Sequence, residues 1–389
     1  MARKVKKVPN GGGTIRKRSD GRWEARYTNG FDFKTGKQIQ KSVYGKTQAE
    51  VRKKLQVVCT AIDKGNYIEP SKLTVGMWFD IWLKEYTGSI KPLTLKSYTV
   101  CINNHIKPAL GSIKLTSLGT HSIQSFYNKL LNGTKKVPGL SPKTIKNVHG
   151  VVHKGLQQAC EIFYINANPS NACKLPRVEK SKIKPLDENE ISAFIKAIKG
   201  HQFENLFLVT LFTGMRQGEI LGLTWDSVDL QNGTILIYQQ LQRIKGEYKF
   251  VSLKNDKSRN ITLAPSIAKL LQRHKAIQNE WRLIAGSAWD NSNLVFSNQL
   301  GGHLAHITVS KNYKKIVANI DLPEARFHDL RHTYAVAALQ SGDDIKTVQE
   351  NLGHHTASFT LDVYGHVSTR MKTDSADRME TFIKSVNKI

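Results

Sequence analysis

Arg216 stands in the run Thr213-Gly-Met-Arg-Gln-Gly-Glu-Ile220, between two apolar helical stretches. Further along, His328-Asp-Leu-Arg331 puts an imidazole and a guanidinium three residues apart, positions that share a face on a helix. Leu352-Gly-His354 follows, and Tyr364 comes ten residues later inside Thr360-Leu-Asp-Val-Tyr-Gly-His366. Singly, each has a plain structural reading: an arginine exposed or paired with Glu219, a core histidine, a packing tyrosine. Together they fit one chemistry. Two guanidiniums can clamp the non-bridging oxygens of a single phosphate with forked hydrogen bonds. Histidines add donors or move protons, and a tyrosine hydroxyl supplies a nucleophile that exchanges one phosphodiester for another. A lysine on the segment Tyr248–Leu263, which reads as a hairpin, could protonate a leaving oxygen.

Magnitudes explain why the set is needed. A free phenol with a pKa of about 10 is ionised to roughly one part in a thousand at pH 7, a handicap of about 4 kcal/mol. One preorganised transition-state donor contributes about 2.7–4 kcal/mol. A lone tyrosine is therefore inadequate, whereas a tyrosine among several cations is not.

The rest of the chain must position these groups and find them a substrate. Its 389 residues suggest two or three domains. With 58 Lys+Arg against 31 Asp+Glu the formal charge is +27, and a hydrophobic content of 40 % is enough for packed cores. So large an excess of cations calls for a polyanionic partner, nucleic acid first. No apolar run approaches the roughly 18–20 residues of a membrane span, and the basic start Met1–Lys7 has no apolar stretch behind it, so no signal peptide is expected. Cys59, Cys101, Cys160 and Cys173 lie far apart without a CxxC pair, which points to reduced thiols in a cytosolic protein.

Basic residues are densest at the front: Met1–Asn66 holds 17 Lys+Arg and 5 Asp+Glu, a net of +12. Met1–Lys7 reads as a solvated tail and Gly11–Gly13 as a flexible lead. Beyond them, alternation predicts three half-buried strands. Trp23, Ala25 and Tyr27 oppose Arg22, Glu24, Arg26 and Thr28, and Ile39 and Val43 oppose Gln38, Gln40 and Ser42. Thr47-Gln-Ala-Glu50 reads as a capping box opening a helix, with Val51, Leu55, Val58 and Ile62 to cover the apolar face. The other face, Arg16, Arg18, Arg22 and Arg26 with Gln38 and Gln40, carries donors suited to base edges in a major groove. Gly65–Lys72 reads as a linker. Residues 73–177 are helical in pattern, with Thr94 and Thr120 as N-caps and a long helix from Ser141-Pro142 to Phe163. After a charged linker at Val178–Ile183, another domain opens at Leu186-Asp187-Glu-Asn-Glu190. It is mostly helical, with strand-like segments at Thr234–Gln240, Tyr248–Leu253 and Arg259–Leu263.

The ordered series Arg216, Lys254, His328-x-x-Arg331, His354 and Tyr364 resembles the tyrosine recombinases, or phage integrases, with every family position filled. The flanking words resemble them too: Gly-Glu-Ile-Leu-Gly-Leu-Thr-Trp225, His-Asp-Leu-Arg-His-Thr333 and Leu-Gly-His354. The front end resembles integrases of conjugative transposons and temperate phages that carry an extra arm-binding domain. The resemblance implies three domains: an arm-type DNA-binding domain at 1–66, a helical core-binding domain at 73–177, and a mixed α+β catalytic domain with a tail helix at 184–389. The fold class expected is multidomain and mostly α with small β elements.

By the same resemblance Tyr364 attacks the scissile phosphate to give a 3′-phosphotyrosine and a free 5′-hydroxyl. Arg216 and Arg331 hold the phosphate, His328 is base or donor, His354 a further donor, and Lys254 the general acid. Lys257, on the other side of Asn255-Asp256, is the competing lysine, and Glu219 or Asp329 would brace the cluster. No metal and no cofactor are expected. The implied partners are double-stranded DNA at arm and core sites, three further copies of the chain on two duplexes, and an excisionase or DNA-bending accessory protein. No membrane is involved, and the bacterial cytosol is the expected location. The tail stripe Met379, Phe382, Ile383 and Val386 would pack on its own domain or dock into a neighbouring copy. Rival readings are a His-based metal enzyme (His328/His332, His354-His355, His303/His306), a non-catalytic DNA-binding regulator, and a type IB topoisomerase.

Overall fold

The computed structural model describes residues 14–31, 37–63, 72–134, 137–179, 184–253, 257–353 and 369–386. The chain is mostly helical with small antiparallel sheets, and it divides into two compact units, Met1–Lys180 and Ser181–Ile389.

The first unit opens with the three strands that the alternation predicts: β1 (Thr14–Lys17), β2 (Trp23–Phe31) and β3 (Gln38–Gly45), antiparallel in the order β1-β2-β3. Helix α1 (Gln48–Asp63) covers one face, where Ala25, Tyr27, Val51, Leu55 and Val58 form a small core. Thr47 caps that helix by accepting the Glu50 N–H at 3.2 Å, but the Glu50 carboxylate reaches back to the N–H of Lys46 rather than to that of Thr47. Ile39, expected on the apolar face, is exposed, because the core gathers around Ala25 and Val43 and stops short of it.

Then come α2 (Val75–Glu85), α3 (Pro92–Cys101), a π-helical turn at Ile102–Ile106, α4 (Lys107–Leu110), α5 (Thr120–Asn132) and α6 (Pro142–Glu161). Their shared core is led by Trp78, Phe79, Ile102, Ile106, Tyr127 and Leu156. Ser141 caps α6 as the Ser-Pro pair predicts, accepting from the Thr144 N–H at 3.2 Å. Two expected caps are corrected. Helix α3 starts earlier, at Pro92, whose fixed φ and missing N–H suit a first helical position, so Thr94 lies inside it. Thr120 is the first residue of α5, and its hydroxyl donates to the Pro169 carbonyl at 2.7 Å instead of capping. Helix α6 ends at Glu161 rather than Phe163, which takes a φ of 61°.

The second unit contains α7 (Glu188–Ile198), α8 (Glu204–Thr213), α9 (Gln217–Leu221), β4 (Val228–Asp229), β5 (Thr234–Ile237), β6 (Gln239–Ile244), β7 (Glu247–Ser252) and β8 (Arg259–Thr262). It continues with α10 (Pro265–Ala285), α11 (His306–Ala318), α12 (Asp329–Gln340), α13 (Ile345–Leu352) and a C-terminal helix, Thr369–Val386. The capping box at Asp187 and Glu190 is present in full. Tyr248–Leu263 is not a hairpin: β7 pairs with β6, and β8 pairs with β5 in a β4-β5-β8 sheet. The reason is the turn Lys245-Gly246, both residues at positive φ, the two-residue geometry that folds β7 back on β6. An aromatic cluster of Phe194, Phe207, Tyr313 and Phe327 anchors the core of this unit. No helix among the described residues is long and apolar enough to cross a membrane.

Candidate active site

Helix α8 ends at Gly214, which adopts φ +65°; a side chain there would also strike Tyr334 and Leu352. The left-handed turn sends Met215 into the core and leaves Arg216 at the start of α9. Glu219, one turn on, accepts the Arg216 backbone N–H at 2.9 Å and its Nη1 at 2.7 Å. The Nη2 of Arg216 donates to the Gly353 carbonyl at 3.1 Å.

Arg331 arrives from another direction. Asp329 fixes the entry to α12 by accepting the Arg326 backbone N–H at 2.8 Å and its Nη2 at 2.9 Å. His328 sits just ahead of the helix and Arg331 in its first turn. Only 2 % exposed, Arg331 donates from Nη1 to the Gly214 carbonyl at 2.7 Å and from Nη2 to the Leu352 carbonyl at 2.5 Å. Both arginines therefore converge on the C-terminal end of α13, which closes at Gly353 with φ +61°, immediately before His354.

Sequence reasoning missed Arg259, at the start of β8. Its Nη2 and Nη1 donate to the two Glu219 oxygens at 2.6 and 3.2 Å, and its Nε donates to the Asn351 carbonyl at 2.7 Å. Burial alone would raise the Glu219 pKa, but hydrogen bonding and charge from Arg259, then Arg216, overcome it and hold the carboxyl down to about 2. Glu219 is thus a fixed anion, the brace expected of it, while Asp329 braces the His328 turn through Arg326.

His328 is exposed, yet desolvation by the surrounding protein, then the charges of Arg331 and Arg216, lower its pKa from the ordinary histidine value. That direction favours the neutral ring, which can accept a proton. His332, a turn further into α12, packs edge-on against it at 4.8 Å between ring centroids. Burial first, then His328, pushes His332 down to about 4. A buried neutral histidine adds stability above its unfolded pKa near 6.5, and that stability is lost as pH falls toward 4. We expect urea melts to lose on the order of 2–3 kcal/mol across this window, and His332→Gln to flatten the loss. An unchanged slope in that variant would remove His332 from the account.

Lys254, His354 and Tyr364 lie outside the described residues. Lys257, the competing lysine, is described, exposed, between β7 and β8. The site thus brings together Arg216, His328 and Arg331 of the six, with Glu219, Arg259 and His332 added.

On the N-terminal sheet, Arg16, Arg26, Gln38 and Gln40 are exposed opposite α1, but Glu24 lies at the centre of that face and is 2 % exposed. It accepts from Arg16 Nε at 2.8 Å, Arg26 Nε at 3.3 Å and Ser42 Oγ at 2.7 Å, with Arg18 Nη1 at 3.9 Å. Arg22 stands apart in the turn before β2, forked onto Asp20.

Residues 184–371 match the model of the phage integrase family, and residues 74–131 that of the phage integrase N-terminal SAM-like domain. The chain is 31 % identical to a XerC-like tyrosine recombinase of Caldanaerobacter subterraneus subsp. tengcongensis, over 88 % of this chain and 92 % of that one. It is 24 % identical to the ICEBs1 integrase of Bacillus subtilis, over 95 % of this chain and all of the other. In fold it is similar to the Tn1549 transposon integrase solved with a circular intermediate DNA, at TM-score 0.67 and 20 % identity, over 79 % of this chain and 100 % of that one. It is also similar to lambda integrase, solved as a tetramer on a Holliday junction, at TM-score 0.55 and 17 % identity, over 91 % and 98 % of the two chains.

Proposed function

The chain belongs to the phage integrase family and is a DNA strand-exchange enzyme of the tyrosine recombinase class, and we propose that it excises and integrates a mobile element with Tyr364 as its nucleophile. The Tyr364 oxygen bonds to the scissile phosphorus while the P–O5′ bond breaks, leaving a 3′-phosphotyrosine. Arg216 and Arg331 carry the phosphoryl oxygens and the charge that grows on them. Neutral His328 takes the phenolic proton or donates to the phosphate, His354 adds a donor, and Lys254 protonates the departing 5′-oxygen. Attack by a 5′-hydroxyl of the other duplex reverses these steps, so the bond energy is conserved and no nucleotide cofactor enters.

The observation that supports this reading is the convergence of Arg216 and Arg331, far apart in sequence, on the Leu352 and Gly353 carbonyls directly ahead of His354. Two preorganised guanidiniums converging on one point, Arg331 buried and Arg216 partly exposed, are what a phosphoryl transition state requires.

The proposed setting is the bacterial cytosol, on double-stranded DNA. The helical segment and the catalytic unit take the core site, and the sheet face of Arg16, Arg18, Arg22, Arg26, Gln38 and Gln40 takes arm sites. Linking two binding modules allows one chain to bridge distant sites. The working assembly is a homotetramer on two duplexes, aided by an excisionase or DNA-bending protein. In the C-terminal helix Met379, Phe382, Ile383 and Val386 are exposed rather than packed on their own unit, which favours seating against a neighbouring copy.

A plasmid carrying both element ends should lose the intervening circle on incubation with the protein and its accessory protein, at an unchanged rate in excess chelator. Loss of activity restored only by a divalent cation would refute the metal-free mechanism.

A further inference from the structure

Arg259 has no counterpart among the residues read as chemical, yet it joins Glu219 to the C-terminal end of α13. Its side chain is 8 % exposed, and Nε, Nη1 and Nη2 are all engaged within the protein. The carbonyls of Asn351, Leu352 and Gly353, three in succession at the C-terminal end of α13, are each held by a different guanidinium: Arg259, Arg331 and Arg216. A Cβ on Gly353 would stand 2.9 Å from Arg259 Nη1, so the end of α13 closes directly over that side chain.

The charges give Arg259 a second task. Glu219 faces two guanidiniums, and the trio Arg216, Arg259 and Glu219 carries a net charge of +1. Without Arg259 the net is zero, and Glu219 holds Arg216 alone, in competition with any phosphate.

We propose that Arg259 is a positioning residue for strand cleavage: it shares the charge of Glu219, so that Arg216 stays available to the scissile phosphate, and it fixes the end of α13, which immediately precedes His354 in the sequence. This rests on the reading of Arg216 and Tyr364 given above.

The test is single-turnover formation of the covalent complex by the full chain on a nicked core duplex, the duplex having been recovered from a random pool by binding to this protein. Arg259→Met should slow the step about 100-fold, the usual scale for misplaced reacting groups, with the duplex Kd within about threefold of wild type. Adding Glu219→Gln to Arg259→Met should regain about tenfold, because the competing anion is gone. A purely structural arginine gives the opposite sign, the double variant being slower than the single one. That sign, or an Arg259→Met rate within about threefold of wild type, overturns the proposal. Should Arg259→Met fail to fold by circular dichroism, Arg259→Lys decides, since it keeps the charge and loses the fork. About tenfold slowing, with duplex affinity retained, supports the proposal, and the wild-type rate overturns it. Absence of any adduct with wild-type protein overturns the nucleophile reading and this proposal together, whereas a wild-type adduct with an unaffected Arg259→Met overturns this proposal alone.

Discussion

Tyr364→Phe abolishes covalent attachment to DNA in this account, while binding and pairing of the two sites survive. The substitution removes one oxygen from a side chain whose ring and backbone demands are otherwise unchanged, so folding and duplex contact should persist. A serine or water entering in its stead would need an alignment of its own, and near-attack geometry is worth roughly 7–11 kcal/mol. We therefore expect the rate of adduct formation to fall by at least about four orders of magnitude. The check is a denaturing gel of protein incubated with a labelled nicked duplex, beside a mobility-shift assay on the same samples. Equal shift and no denaturant-stable band is the predicted pair of results.

Arg331→Lys is the second large effect, and the structure gives it two parts. A lysine keeps the charge but is a single-point donor, whereas Arg331 spans the Gly214 and Leu352 carbonyls from a buried position. Cleavage should drop about 10²–10³-fold for the lost transition-state donor. Stability should also fall, by about 1–3 kcal/mol, because one buried carbonyl is left without its partner. Single-turnover cleavage and a urea melt of the same preparation separate the two parts. A stability loss with an unchanged cleavage rate would show Arg331 to be scaffold alone.

How much of this was legible in the sequence depended on range. Local signals carried well: the alternation of the N-terminal strands, the Ser141-Pro142 start and the Asp187–Glu190 box each depend on residues a few positions apart. The words around Arg216 and His328-x-x-Arg331 also singled out residues that the fold brings together. What failed was pairing over distance. Tyr248–Leu263 read as one hairpin because the Lys245-Gly246 turn went unnoticed, and with β8 assigned to the wrong partner there was no reason to bring Arg259 to Glu219. Glu24 failed for the same reason. In sequence it is one of several polar residues on an exposed face, and only the register Arg16↔Glu24↔Tyr44 makes it the buried centre of three arginines. The roles of Lys254, His354 and Tyr364 continue to stand on their positions in the sequence.

The central claim concerns which atom of the protein joins the DNA, and one measurement addresses it directly. A suicide duplex labelled beside the nick is trapped on the wild-type chain, the complex is digested with protease, and the modified peptide is sequenced by mass spectrometry. The account predicts a single peptide from around residue 364, with the nucleotide linked through its 3′-phosphate to the Tyr364 oxygen. A nucleotide on any other side chain, or one linked through its 5′-phosphate, would contradict it.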